Sequence, residues 1–401
     1  MPTQPHVLSS AAGAPVARPA AGAVPVAIGG MVAMAGAMGI GRFVYTPILP
    51  VMVGTLHLSD VQAGLIASAN FLGYLVGALL AAVGTLPGSR RHWLLGALAV
   101  SGLTTTAMGA GTSLPAFLAL RFVGGGASAF VLIFASALVL ERLVHAGRPQ
   151  LSAVHFSGVG VGISVSAVAV SVSLAAGAGW QQLWYVVGSL VLATFLVAAL
   201  LIPPEPVPAA SASVTPRGRR ESGLAWLITA YGLFGFGYVI TATFLVAIVR
   251  AAPEMRSAET LVWLLVGLAA APSVALWSRL AARTSARTAY SAACLLQAVG
   301  VAASVLWPSG AGAVLSAALL GGTFMGQTSL GLAEARRLVP DNPRPALALM
   351  TAAFGFGQVI GPVLAGYLSD RLGSFSLASL LAAGALLAAA LIVQVRPQGR
   401  E

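Results

Sequence analysis

GIGRFVYTPIL, residues 39–49, and GFGYVITATFL, residues 235–245, decide how the chain is read. Offset by 196, they keep both glycines and the final leucine, and Arg42 falls on Tyr238. A second pair, GVGVGIS (158–164) and GFGQVIG (355–361), aligns at an offset of 197, as do Gly124–Gly125 and Gly321–Gly322. Three matches in one order at nearly one offset mark an internal duplication. Each lies inside an apolar run, and in the first run an arginine stands among small and greasy residues.

The rest of the composition says what those runs are. Charged residues make up 8% of the 401 residues, hydrophobic ones 58%, and mean hydropathy is +0.92. Soluble proteins carry about 25% charged residues, so the solvent for most of this chain is lipid. Apolar runs fall at 25–50, 61–84, 92–110, 114–140, 151–176, 183–202, 222–249, 260–282, 286–306, 311–333, 345–368 and 374–395. A bilayer core needs roughly 20 apolar residues per helix, which predicts twelve transmembrane helices in an all-α membrane protein. Long Gly-rich runs exclude a barrel, whose strands are short and alternating. The duplication divides the chain into six-helix bundles at 25–202 and 222–397. A Pro-, Ala- and Arg-rich linker at 203–221 joins them. Residues 1–24 read as a disordered tail, as do 398–401, and the N-terminus lacks the pattern of a cleaved signal.

The net charge of +11 comes from 21 arginines without a lysine. Sixteen fall in the tails, linker and loops of one side if both termini are cytoplasmic, three fall in loops of the other side, and Arg42 and Arg121 fall within spans. Arginine bias toward the cytoplasm sets that orientation in the inner membrane and accounts for the charge without nucleic acid. The single cysteine excludes an internal disulfide, and five scattered histidines form no metal-binding pair. No cofactor and no enzymatic nucleophile–base pair is expected. Six spans per half is even, so the halves are parallel repeats about an axis along the membrane normal.

With these features the chain resembles the major facilitator superfamily, and within it the YbfB/YjiJ-type branch. The resemblance rests on GIGRFVYTPILP (39–50), QAGLIASANFLGYLVGALL (62–80), HFSGVGVGIS (155–164), AYGLFGFGYVITATFL (230–245) and FGFGQVIGPVLAGYLSDRLGS (354–374). It implies a transporter working by alternating access, with spans 1, 4, 7 and 10 around the cavity. RFVGGGASA (121–129) is similar to the span 4 motif, whose arginine the family links to proton coupling or stability. The family's gating motif between spans 2 and 3 is degraded to TLPGSRR, with Thr85 where the family has aspartate. A full G-x-x-x-D-R-x-G occurs as GYLSDRLG (366–373), on the outer side, which makes Asp370 and Arg371 gating candidates. The antiporter motif of span 5 lacks its proline.

Arg42 lies eight residues before Pro50, about 12 Å from the outer end of its span, and Arg121 lies about 10 Å in. None of the ten acids falls in the middle of a span. Two guanidinium forks without a carboxylate suit an anionic substrate; snorkelling or hydrogen bonding to helix carbonyls is the structural alternative. Tyr45 shares a face with Arg42, Tyr231 and Tyr238 share one on span 7, and Gln327 shares one with Gly331 on span 10. Asn70, in an i,i+4 pair with Tyr74, and Pro362 are read as helix-bridging and hinge residues, and His155 and Glu334 as proton carriers. The expected function is transport of a small organic anion by a monomer in the lipid bilayer. Efflux of apolar or cationic compounds and a non-transporting sensor are the alternatives.

Overall fold

The computed structural model describes residues 22–82, 86–111, 113–204, 223–340 and 343–394. Thr85, most of the 203–221 linker and both terminal tails lie outside the described residues, save that Ala23 and Val24 already belong to the first helix. The helices are α1 (Ala23–Leu56), α2 (Asp60–Ala82), α3 (Arg90–Ala107), α4 (Leu114–His145), α5 (Ser152–Ala175) and α6 (Trp180–Leu201). The second half holds α7 (Leu224–Ala251), α8 (Glu259–Arg283), α9 (Ala286–Leu306), α10 (Gly310–Leu338), α11 (Pro343–Leu372) and α12 (Ser376–Ile392). Eleven are long and apolar enough to cross a membrane, and α12 is a shorter apolar helix of 17 residues. This is an all-α, multi-pass membrane protein. The face carrying the start of α1 and the end of α12 is called proximal below, and the other distal.

The duplication reappears as packing. In the first half α2 lies on α4, α3 on α4 and α6, and α1 on α5 and α6. In the second, α8 lies on α10, α9 on α10 and α12, and α7 on α11 and α12. Two equivalent seams, α2 with α11 and α5 with α8, join the halves. The repeated glycines explain the α1–α5 and α7–α11 crossings. A Cβ on Gly39 would lie 2.5 Å from the Gly162 Cα, and one on Gly357 would lie 2.6 Å from the Phe236 nitrogen. Only a missing side chain lets these backbones touch.

One expectation needs correction. Pro50 does not end the first span; it sits inside the final segment Tyr45–Leu56 of a 34-residue α1. An apolar helix in lipid tolerates a proline when neighbours occupy the freed backbone groups. Arg42 is therefore 14 residues from the distal end, about 21 Å at 1.5 Å per residue. That places it near the middle of a bilayer core about 30 Å thick, deeper than the about 12 Å read from Pro50.

Candidate functional site

The site begins with a fault in α1. Residues Ala35–Arg42 form a π-helical segment, and the chain resumes as an α-helix at Tyr45. In a π register the Arg42 carbonyl would accept from residue 47, but Pro47 has no N–H. The Thr46 N–H turns back to the Phe43 carbonyl instead (3.2 Å). Two carbonyls at this break are met from another helix. Arg121 of α4 donates through Nη1 to the Gly41 oxygen (2.9 Å) and through Nη2 to the Arg42 oxygen (2.8 Å). Its guanidinium carbon lies 5.3 Å from the Tyr45 ring centre. The Tyr45 hydroxyl donates to the Ala63 carbonyl of α2 (2.9 Å), and the Asn70 amide to the Arg121 carbonyl (3.0 Å). Arg121, Tyr45 and Asn70 thus bind α1, α2 and α4 together around the break.

The break aims Arg42 at the other half. Its side chain is 3% exposed, and Nη2 donates to the Oε1 of Gln358 on α11 (3.0 Å). The guanidinium lies 3.9 Å from the Tyr74 ring centre and 4.9 Å from that of Phe71, so its positive charge rests on two ring faces. Nε and Nη1 have no hydrogen-bond partner, and no ion pair among the described residues involves Arg42. Gln358 passes the contact on, its Nε2 donating to the Tyr238 hydroxyl in a short hydrogen bond. Arg42 and Tyr238, equivalent in the two repeats, therefore meet through Gln358.

Tyr238 heads an aromatic wall. Its ring stacks on Phe324 of α10 at 5.8 Å and on Phe354 of α11 at 5.7 Å, nearly parallel to both. Tyr231 stacks on Phe354 at 5.0 Å, and its hydroxyl donates to the Thr328 carbonyl (3.4 Å). Phe43, next to Arg42, meets Phe324 edge-on across the halves. A void beside Phe43, Tyr238, Trp263 and Phe324 measures only about 10 Å³, enough for one water at most. An organic solute enters only when the halves part. Gln327 is fully buried on α10, and neither its amide nitrogen nor its oxygen has a partner.

The gating candidates lie away from this centre. On the distal side, Asp370 of α11 accepts from the Asp60 and Val61 N–H groups at the start of α2 (2.9 and 3.1 Å). Ser369 donates to the Asp60 carboxylate (2.7 Å), and Thr46 donates to the Ala242 carbonyl (2.6 Å). A Cβ on Gly64 of α2 would collide with the Pro362 carbonyl, so the two helices touch there. Arg371 is exposed, with its guanidinium 5.3 Å from the Tyr367 ring centre. Near the proximal face, Glu334 is ion-paired with Arg287 and Arg337 at 2.8 Å each. His155 is buried in the first half against Ser136 Oγ (3.1 Å) and beside Gly30. No group of His, Cys, Asp and Glu placed to hold a metal ion occurs among the described residues.

Sequence reasoning named Arg42 and Tyr238 but passed over Gln358, which lies within the quoted repeat GFGQVIG. The signal was there: at the same offset its counterpart is Val161. Within the two quoted segment pairs, the positions that differ most in polarity, Arg42 against Tyr238 and Gln358 against Val161, are the ones that meet.

Two interlocked sets of apolar helices with a charged contact between them at mid-depth define a transporter of the major facilitator type, not an enzyme. The chain belongs to the family described as the uncharacterised MFS-type transporter YbfB, which matches residues 34–394. Among solved structures it is similar to the nucleoside transporter NupG, with TM-scores of 0.72 for a mutant form and 0.68 for another structure of that protein. Identities are 15% and 16%, and the match covers 92% of this chain and 98% of the other in both cases. At that identity the likeness speaks for the fold alone. No curated protein matches the chain.

Proposed function

We propose that this transporter carries a small organic anion by alternating access, with Arg42 as the anion's ligand. The observation that carries the reading is the Arg42 guanidinium, 3% exposed, with Nε and Nη1 unpartnered and no carboxylate on it. A buried cation in a membrane protein faces a functional pathway by default, and a carboxylate matches a guanidinium fork with two parallel hydrogen bonds. Tyr238, Gln327 and the Tyr231–Phe354 wall are the further ligands for the apolar body of the solute. Arg121 and Tyr45 shape the site by holding α1 around its break. Asp370 and Pro362 belong to a distal gate, with Arg371 beside it on the exposed end of α11, and Asn70 holds the α2–α4 wall behind it. Glu334, held between two arginines, belongs to a proximal gate rather than to a proton path, and His155 is the remaining proton-carrier candidate. The arginine bias supports an inner-membrane protein with both ends cytoplasmic.

The test is a thermal-shift screen of the purified protein with pyruvate, 4-hydroxybenzoate and other monocarboxylates, and with nucleosides as neutral comparators. A ligand of the folded state raises its unfolding temperature with occupancy. Monocarboxylates are expected to stabilise wild type and to lose that effect in Arg42→Ala, and labelled anions are expected to enter proteoliposomes only with wild type. Stabilisation by nucleosides alone, or uptake that survives Arg42→Ala, rejects the reading.

A further inference from the structure

The contact between Arg42 and Gln358 has a geometry that bears on how the carrier cycles, given the reading of Arg42 as the anion ligand. A guanidinium offers a carboxylate two edges with parallel N–H groups, Nε with Nη2 and Nη1 with Nη2. Both include Nη2, and Nη2 is the nitrogen that Gln358 occupies (3.0 Å). Nη2 carries one hydrogen on each edge, so the amide oxygen takes one of them and interrupts one edge, while Nε and Nη1 are left without partners. The amide orientation is set by its surroundings. Only the oxygen can accept from Arg42, and the nitrogen at the other end donates to the Tyr238 hydroxyl. The two partners sit on opposite halves, α1 and α11, and Gln358 is fully buried.

We propose that Gln358 is a stand-in ligand that lets the empty carrier return across the membrane, so that the protein performs net transport rather than obligatory exchange. A half-bundle interface closing over a bare guanidinium leaves a buried charge unmet, which opposes reorientation without substrate. Here the interface closes with the charge on one amide dipole and the Tyr74 and Phe71 ring faces. The stand-in is neutral, and this decides its strength. A carboxylate adds an opposite charge and a second parallel hydrogen bond that one amide oxygen cannot offer, so an incoming anion outcompetes Gln358 for the guanidinium. A carboxylate at position 358 would hold Arg42 permanently. Gln358 is thus a positioning residue for the reorientation step, acting through Arg42.

The experiment compares two transport modes in proteoliposomes with labelled pyruvate and 4-hydroxybenzoate as probes. Net uptake is measured into empty vesicles, and exchange into vesicles preloaded with the same unlabelled anion. Wild type is expected to show both. Gln358→Leu is expected to keep exchange and to lose net uptake by about tenfold, the rate equivalent of one hydrogen bond to a charged group. Gln358→Glu is expected to lose both modes, and its unfolding temperature should no longer respond to either anion. A merely structural glutamine would depress both modes together, so a parallel fall in Gln358→Leu overturns the inference. So does undiminished net uptake. If Gln358→Leu does not fold, Gln358→Glu decides, and retention of anion-induced stabilisation in that variant overturns the proposal. Wild-type protein that moves neither anion in either mode instead overturns the anion reading of Arg42, and this inference with it.

Discussion

Arg42 and Arg121 are both buried at one level of the first half, 3% and 5% exposed, yet they face opposite problems. Arg121 meets two backbone carbonyls that the break in α1 leaves open, and its charge is spent inside its own half. Arg42 stands at that break, has one neutral partner across the halves, and keeps two nitrogens open. Residue type and depth do not separate them; the backbone does. The comparison breaks most sharply at Arg121. Arg121→Ala leaves two buried carbonyls unsatisfied, each worth about 1–3 kcal/mol. The detergent-solubilised protein is expected to lose about 2–6 kcal/mol in denaturant unfolding, with Arg121→Lys recovering part of it. Wild-type stability in Arg121→Ala would mean that the break in α1 supports itself. Arg42→Met removes a buried charge and orphans one acceptor, the Gln358 amide oxygen, so its loss of stability is expected at about 1–3 kcal/mol, half that of Arg121→Ala. Its anion transport should be abolished. A loss of stability as large as that of Arg121→Ala would make Arg42 a structural residue as well.

The helices and their duplication were legible because lipid imposes them: an apolar run of about twenty residues has few other uses. Arg42 was legible as a charge without an acid at its depth. The length of α1 was not, because Pro50 was read as a stop, and in lipid a proline can stay inside a helix. The π segment was hidden for another reason. It combines the missing N–H of Pro47 with two donors from Arg121, whose side chain comes from a helix about 80 positions later in the chain. Neither stretch of sequence contains the feature alone. Gln358 was overlooked because a glutamine in an apolar helix more often bridges helices than serves a site. Here it bridges the two halves through the site itself.

The proximal ends of the two halves offer a second comparison, between repeats. Arg90 and Arg287 are equivalent at the offset of 197, and each opens a helix and pairs with a glutamate late in the next, Glu141 at 2.9 Å and Glu334 at 2.8 Å. The first pair is open to solvent, with side-chain exposures of 39% and 51%. The Glu334 side chain is 4% exposed and also holds Arg337. Glu334→Gln weakens hydrogen bonds to two charged partners and is expected to cost about 1.5–3 kcal/mol in denaturant unfolding. Glu141→Gln is the exposed control, with little change that salt screens further. Equal losses in the two variants would show that burial does not distinguish the repeats.

The distal seam tests whether the distal gate depends on a single carboxylate. The first N–H groups of a helix have no partner within it, and at α2 those of Asp60 and Val61 are met by Asp370 of the opposite half. The contact exists only while α2 and α11 are together at that end, so it favours the distal-closed state specifically. Removing a helix cap weakens it by about 0.5–2 kcal/mol, and Asp370→Ala is expected to shift the balance toward distal-open by about 2- to 30-fold. A cysteine replacing Thr46, whose hydroxyl donates to Ala242 across the closed halves, reports the change through its labelling by an impermeant maleimide. The native Cys294 is buried and adds little background. Labelling should speed up in Asp370→Ala and hardly change in Arg371→Ala, since Arg371 is exposed and rests on Tyr367 of its own helix. Unchanged labelling in Asp370→Ala would place the distal gate in the Gly64–Pro362 contact, with the carboxylate as an ordinary surface cap.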